Sequence, residues 1–114
     1  MSAIGNFTDS ELWIIRTTLE ERYGKTIEPE LADTELRLTP YATELTECPA
    51  AYWEDQDCHF IVCKSGSSRY RCQFYYRVHQ MYGTGVEEYD DLSECVVMLL
   101  QVQADHVASS NSDL

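Results

Sequence analysis

The stretch Arg69-Tyr70-Arg71-Cys72-Gln73-Phe74-Tyr75-Tyr76-Arg77-Val78 constrains the fold more than any other part of the chain. Side chains along a strand point alternately to its two faces. As a strand, this stretch puts Tyr70, Cys72, Phe74, Tyr76 and Val78 on one face. Arg69, Arg71, Gln73, Tyr75 and Arg77 take the other. One face is built to be covered and the other to meet water or charge. Cys58 to Cys63 is a continuous apolar strand, and Ser65-Gly66-Ser67-Ser68 joins the two as a hairpin turn.

Two helical patterns frame this region. Thr8-Asp9-Ser10-Glu11 is a capping box. Leu12, Ile15, Leu19 and Tyr23 follow at helical spacing, Trp13 and Ile14 widen the apolar face, and Gly24 is a stop, which predicts a helix over 9–23. Asp91-x-x-Glu94 repeats the capping pattern, and Leu92, Val96, Leu99, Leu100 and Gln103 predict a closing helix over 91–107. Between the helices, Lys25–Asp33 reads as a connector and 34–39 as an alternating strand ended by Pro40. Tyr41–Pro49 fits either a loop or a strand containing Leu45. Ala50–Trp53 is a short strand, Glu54–Asp57 an acidic turn and Gln80–Val86 a glycine loop.

A helix laid on an antiparallel sheet buries the sheet's apolar face. The expected fold class is therefore α+β: an N-terminal helix, an antiparallel sheet of about three to five strands and a C-terminal helix. It forms a single domain over 1–107, with a flexible polar tail over 108–114. At 44% hydrophobic and 25% charged residues, the chain has the composition of a folded domain. No run approaches the ~20 apolar residues of a membrane span. The first residues lack the pattern of a signal peptide, so a cytoplasmic location is expected. Cys48, Cys58, Cys63, Cys72 and Cys95 are odd in number and show no tight spacing, which favours reduced, buried thiols.

The net charge is −12, from 20 acids and 8 bases. Such a field repels nucleic acid and anionic membrane, and attracts cations and basic proteins. Asp9 to Asp57 holds thirteen acids and four bases, whereas Cys58 to Val86 holds four bases and no acid. The arginines on 69–77 either form a solvated sheet face or pair with acids on a neighbouring strand, such as Glu35 or Glu54. The acids form three clusters: Glu28, Glu30, Asp33 and Glu35; Glu54, Asp55 and Asp57; and Glu87, Glu88, Asp90, Asp91 and Glu94. Calcium takes six to eight oxygens from carboxylates, carbonyls and waters on flexible backbone. None of the clusters is an EF-hand loop; Asp55-Gln56-Asp57 begins like one but lacks the glycine and the distal glutamate.

Asp91 and Glu94 are also explained as N-cap and N3 acids of the closing helix. Glu87, Glu88 and Asp90 precede it and are the foremost ligand candidates, with the carbonyls of Thr84 to Val86 as further oxygens. Glu28, Glu30, Asp33 and Glu35 would complete the set if they folded against that loop. The cysteines lack the paired spacing of a zinc site. His59, His79 and His106 match no nucleophile motif, so no catalysis is expected.

In its size, its acid count and the stretches Glu28-Pro29-Glu30-Leu31-Ala32-Asp33-Thr34-Glu35 and Tyr82-Gly83-Thr84-Gly85-Val86-Glu87-Glu88-Tyr89-Asp90-Asp91, the chain resembles the cyanobacterial calcium-binding protein family, CcbP. The resemblance implies a cytoplasmic protein that sequesters Ca²⁺ and keeps free calcium low; separately, a monomer is expected. It rests on overall character and transfers no ligand residue by residue. The alternative reading is an acidic interaction protein (an inhibitor, immunity protein or nucleic-acid mimic) that occupies a basic partner.

Overall fold

The structure is a computed structural model that describes residues 4–39, 41–77 and 81–112. Helix α1 (Asp9–Tyr23) is followed by β1 (Glu30–Leu36), β2 (Thr46–Asp55), β3 (Cys58–Gly66), β4 (Arg69–Tyr75), β5 (Met81–Tyr82) and α2 (Leu92–Ser112). The strands form one sheet in the order β1-β2-β3-β4-β5, and every neighbouring pair is antiparallel. The architecture is α+β, with a helix at each end of a five-stranded sheet.

The caps of α1 form as the sequence dictates. Thr8 Oγ1 accepts a hydrogen bond from the Glu11 amide at 3.1 Å, and the Glu11 carboxylate accepts one from the Thr8 amide at 2.7 Å. Gly24 closes the helix at φ 68°, a left-handed conformation that glycine adopts without strain, and its N–H reaches the Glu20 carbonyl at 2.9 Å. Leu12, Ile15 and Leu19 are the buried stripe.

Register explains the core. Trp53, Phe60 and Phe74 line up across β2, β3 and β4, and so do Ala51, Val62 and Cys72. With Ile15 and Leu19 of α1 and Val96, Leu99 and Leu100 of α2 they make one apolar cluster. This inner face of the sheet is where both helices pack. Trp53 and Phe60 stack with centroids 5.3 Å apart. The five cysteines are free thiols; four are buried and Cys72 is half-buried.

Besides shifts of a few residues at the ends of β2, β3 and β4, the structure departs from the sequence reading in four places. First, β1 begins at Glu30, inside the expected connector, and ends at Leu36. Every residue of β1 is exposed or half-exposed, so continuous pairing with β2 defines this strand and no apolar face marks it in the sequence. Second, the ambiguous segment before Pro49 joins β2 from Thr46, with Pro49 opposite Asp33. Third, the glycine loop belongs to a sheet edge. Met81 and Tyr82 pair with Tyr75 and Phe74, and Tyr89 exchanges two backbone hydrogen bonds with Tyr70 at 2.9 and 2.8 Å. Residues 83–88 are therefore an excursion from an interrupted edge strand. Fourth, α2 continues to Ser112, through much of the segment expected to be a flexible tail. Residues 108–112 contain no glycine or proline to break it. Val78, the last residue of the expected strand, and His79 lie outside the described residues, as does Pro40.

Candidate functional site

The glycine–acid excursion is pinned at Tyr82 and Tyr89, and this geometry decides what Glu88 does. Its carboxylate accepts from Ser65 Oγ at 2.8 Å, from Arg71 Nε at 3.3 Å and from Arg69 Nη1 at 3.3 Å. Burial alone would push the Glu88 carboxyl up. The hydroxyl and the two guanidinium groups outweigh it and hold the carboxyl below the ordinary range. Arg69 and Arg71 thus meet Glu88, and neither Glu35 nor Glu54. Arg71 also donates to the Leu38 carbonyl at 2.7 Å, so it ties the segment after β1 to the outer face of the sheet.

The other residues expected to bind calcium are dispersed. Asp91 caps α2, its Oδ1 accepting from the Glu94 amide at 3.1 Å. Glu87, Asp90 and Glu94 are exposed, and Glu87 borders a small hollow with Leu36, Cys63 and Arg71. Glu28 is forked by Arg16, whose Nε lies 2.8 and 3.0 Å from the two carboxylate oxygens. The strand period splits the rest: Glu30 points to the outer face of β1, and Asp33 and Glu35 to the inner face. β1 is one edge of the sheet and the β5 side is the other, so the 28–35 group does not complete the 87–94 group. Among the described residues, no three His, Cys, Asp or Glu side chains are grouped to hold a metal ion.

What the structure does bring together lies on the outer face near β1. Glu30 is opposite Tyr52, Tyr52 opposite Ile61, and Glu54 opposite His59. Tyr52, His59 and Tyr75 form a stack across three strands, with centroid separations of 5.8 and 4.8 Å. His59 Nδ1 contacts the Tyr52 hydroxyl and lies 3.2 Å from Glu54. Burial, and after it the Glu54 charge, push the Tyr52 hydroxyl up. The stack is half-exposed, and the helices lie on the opposite face. On the inner face, toward the other end of β1, Glu35 stands directly opposite Glu47. The sequence marked Tyr75 as outward-facing, but Tyr52 and His59 join it only through a register that spans β2, β3 and β4.

The chain matches no family model, no curated protein and no solved structure in the comparisons made. Among the described residues, no helix is long and apolar enough to cross a membrane.

Proposed function

We propose that the protein is an acidic binding protein that takes a basic protein partner on the β1 side of its sheet. The observation that supports this is where uncompensated charge remains. Glu30, Asp33, Glu35 and Glu47 have no ion-pair partner among the described residues, whereas Arg69 and Arg71 are both committed to Glu88. These four acids outnumber the exposed base that follows β1, Arg37, and a net negative field there steers a basic partner and fixes its orientation. The stacked Tyr52, His59 and Tyr75 add aromatic surface suited to arginine and lysine side chains. We place this function in the cytoplasm, since five free thiols suit a reducing compartment.

The test is affinity retention on immobilised protein, in chelator and about 0.15 M salt. A basic partner is expected to be retained, released as salt rises, and lost when Glu30, Glu35 and Glu47 are together replaced by lysine. Retention of the same proteins by the wild type and this variant would overturn the reading.

Calcium capture is a second reading, favoured by one observation. Glu28, Glu30 and Glu54 line a common hollow of about 420 Å³ with Ile27 and Tyr52, although they are not grouped closely enough to hold an ion without rearranging. Because Glu28 must first leave Arg16, affinity is expected at the weak end, on the order of 10⁻⁴–10⁻³ M. Calorimetric titration of chelator-treated protein should then give saturable heat that Glu30→Gln removes. A flat titration to about 10 mM Ca²⁺ eliminates this reading, since that lies well above the weak end of known protein sites.

A further inference from the structure

We infer that the free edge of β1 is a docking edge that accepts an extended basic segment of a partner protein as a sixth strand. The inference rests on the basic-partner reading above and names its surface and mode. β1 is the terminal strand, and among the described residues β2 is the only strand paired with it. Its outer N–H and C=O groups therefore form an unused ladder, the template for strand addition.

The two edges of the sheet are treated differently. At the β4 side, β5 is two residues long, and the 83–88 excursion interrupts the edge before Tyr89 pairs with Tyr70. Such a short, broken edge cannot template a strand. β1 is seven residues long, and its register with β2 runs without a shift from Glu30↔Tyr52 to Leu36↔Thr46. It contains no proline, lysine or bulge, the usual devices that blunt an edge.

What β1 carries instead is Glu30, Asp33 and Glu35, with no base. Paired with a second copy, the strand would set like charges against like charges, which is destabilising at cross-strand positions. The same acids favour a strand of opposite charge. Side-chain room exists on the inner side, where Phe7, Leu31, Asp33 and Pro49 line a hollow of about 340 Å³. A lysine or arginine of the incoming strand fits there, its aliphatic stem against Leu31 and Phe7 and its charged head toward Asp33. The alternate residues fall on the outer side, above Ala32, Thr34 and Leu36, and are best small or β-branched.

The experiment uses a capped nine-residue peptide of alternating lysine and valine. Its control is an N-methylated form with the same side chains and charge but no main-chain N–H. Binding to the full chain is followed by fluorescence anisotropy at low salt, with amide hydrogen exchange on the complex. The unmodified peptide is expected to bind and to protect alternate amides of β1, leaving Met81 and Tyr82 unchanged. N-methylation should weaken it at least about tenfold, the scale of losing one or more main-chain hydrogen bonds. The Asp33→Lys/Glu35→Lys variant should also bind it at least about tenfold more weakly. Equal binding of the two peptides would overturn strand addition and leave the basic-partner reading standing. If neither peptide binds the wild type better than the charge-reversed variant, both fail.

Discussion

Replacing Glu11 by glutamine is expected to destabilise the protein by about 3–5 kcal/mol, although glutamine can still serve the capping box. Glu11 is 9% exposed and Lys64 8%, and they meet at 2.8 Å inside the domain. Lys64 Nζ also donates to the Asn6 carbonyl at 3.2 Å, and the Tyr70 hydroxyl donates to the other oxygen of Glu11. One carboxylate therefore caps α1, neutralises a buried lysine of β3 and satisfies a buried tyrosine of β4. Without its charge, Lys64 is left buried and uncompensated, which is costlier than losing an ion pair in water. Lys64→Met should cost a similar amount by stranding Glu11. The double variant should be less destabilised than the sum of the two, because neither charge is then left alone.

Acid should report on the same group. Burial pushes the Glu11 carboxyl up, but the hydrogen bonds from Lys64, Tyr70 and Thr8 together outweigh it, so the carboxyl is held below its ordinary value. A carboxyl depressed in the folded state stabilises the fold above its unfolded value. That stability is lost as pH falls through the folded value. The wild type should therefore lose stability below about pH 4.5, and Glu11→Gln should lose less over the same interval. Urea unfolding of the two proteins from pH 7 to pH 3 checks this. Parallel pH profiles would show that Glu11 is not the group that titrates.

Legibility in the sequence followed burial. Helix α1 could be read to the residue, because Thr8, Glu11 and Gly24 fix its ends locally and Leu12, Ile15 and Leu19 fix its face. β4 could be read because one of its faces is covered. β1 could be read only in part, as an alternating strand over 34–39; its bounds could not, because neither of its faces is buried and period-2 alternation carries full information only where burial selects it. The same gap misled the reading of its acids. Glu28, Glu30, Asp33 and Glu35 look like one ligand group in or beside a loop, but Glu28 precedes β1 and pairs with Arg16, and within the strand Glu30 faces away from Asp33 and Glu35. Glu88 raised a different problem. Nothing local distinguishes it from Glu87 or Asp90, and its role is set by Ser65, Arg69 and Arg71 arriving from the β3–β4 hairpin. The stack of Tyr52, His59 and Tyr75 needs the register of three strands at once, which no single segment encodes.

Phe74→Ala should produce the other large effect, about 3–5 kcal/mol, with a local signature that sets it apart from ordinary core truncation. Phe74 is fully buried, and its ring meets Phe60 at 6.4 Å, Tyr76 edge-on at 6.3 Å, Tyr82 at 5.3 Å and His106 at 5.8 Å. The last two contacts matter most. Among the described residues, β5 holds the sheet through two residue pairs, Phe74–Tyr82 and Tyr75–Met81, and His106 lies in the second half of α2. Removing the ring leaves β5 with its two pairs and the direct Tyr82–His106 contact at 4.6 Å, and is expected to weaken β5 and the C-terminal half of α2 while the N-terminal half stays anchored by Leu92, Val96 and Leu99. Phe60→Ala is the control: it is equally buried and carries a similar global cost, but Phe60 touches neither Tyr82 nor His106 through ring stacking. In hydrogen exchange, Phe74→Ala should open Met81, Tyr82 and the amides around His106 well before global unfolding, and Phe60→Ala should open them only with the whole domain. Matching exchange patterns in the two variants would mean that β5 is held by its backbone pairs and the direct Tyr82–His106 contact, without Phe74. A change confined to Phe74→Ala would show that the direct Tyr82–His106 contact is not enough, and that Phe74 is needed to join the broken edge of the sheet to the closing helix.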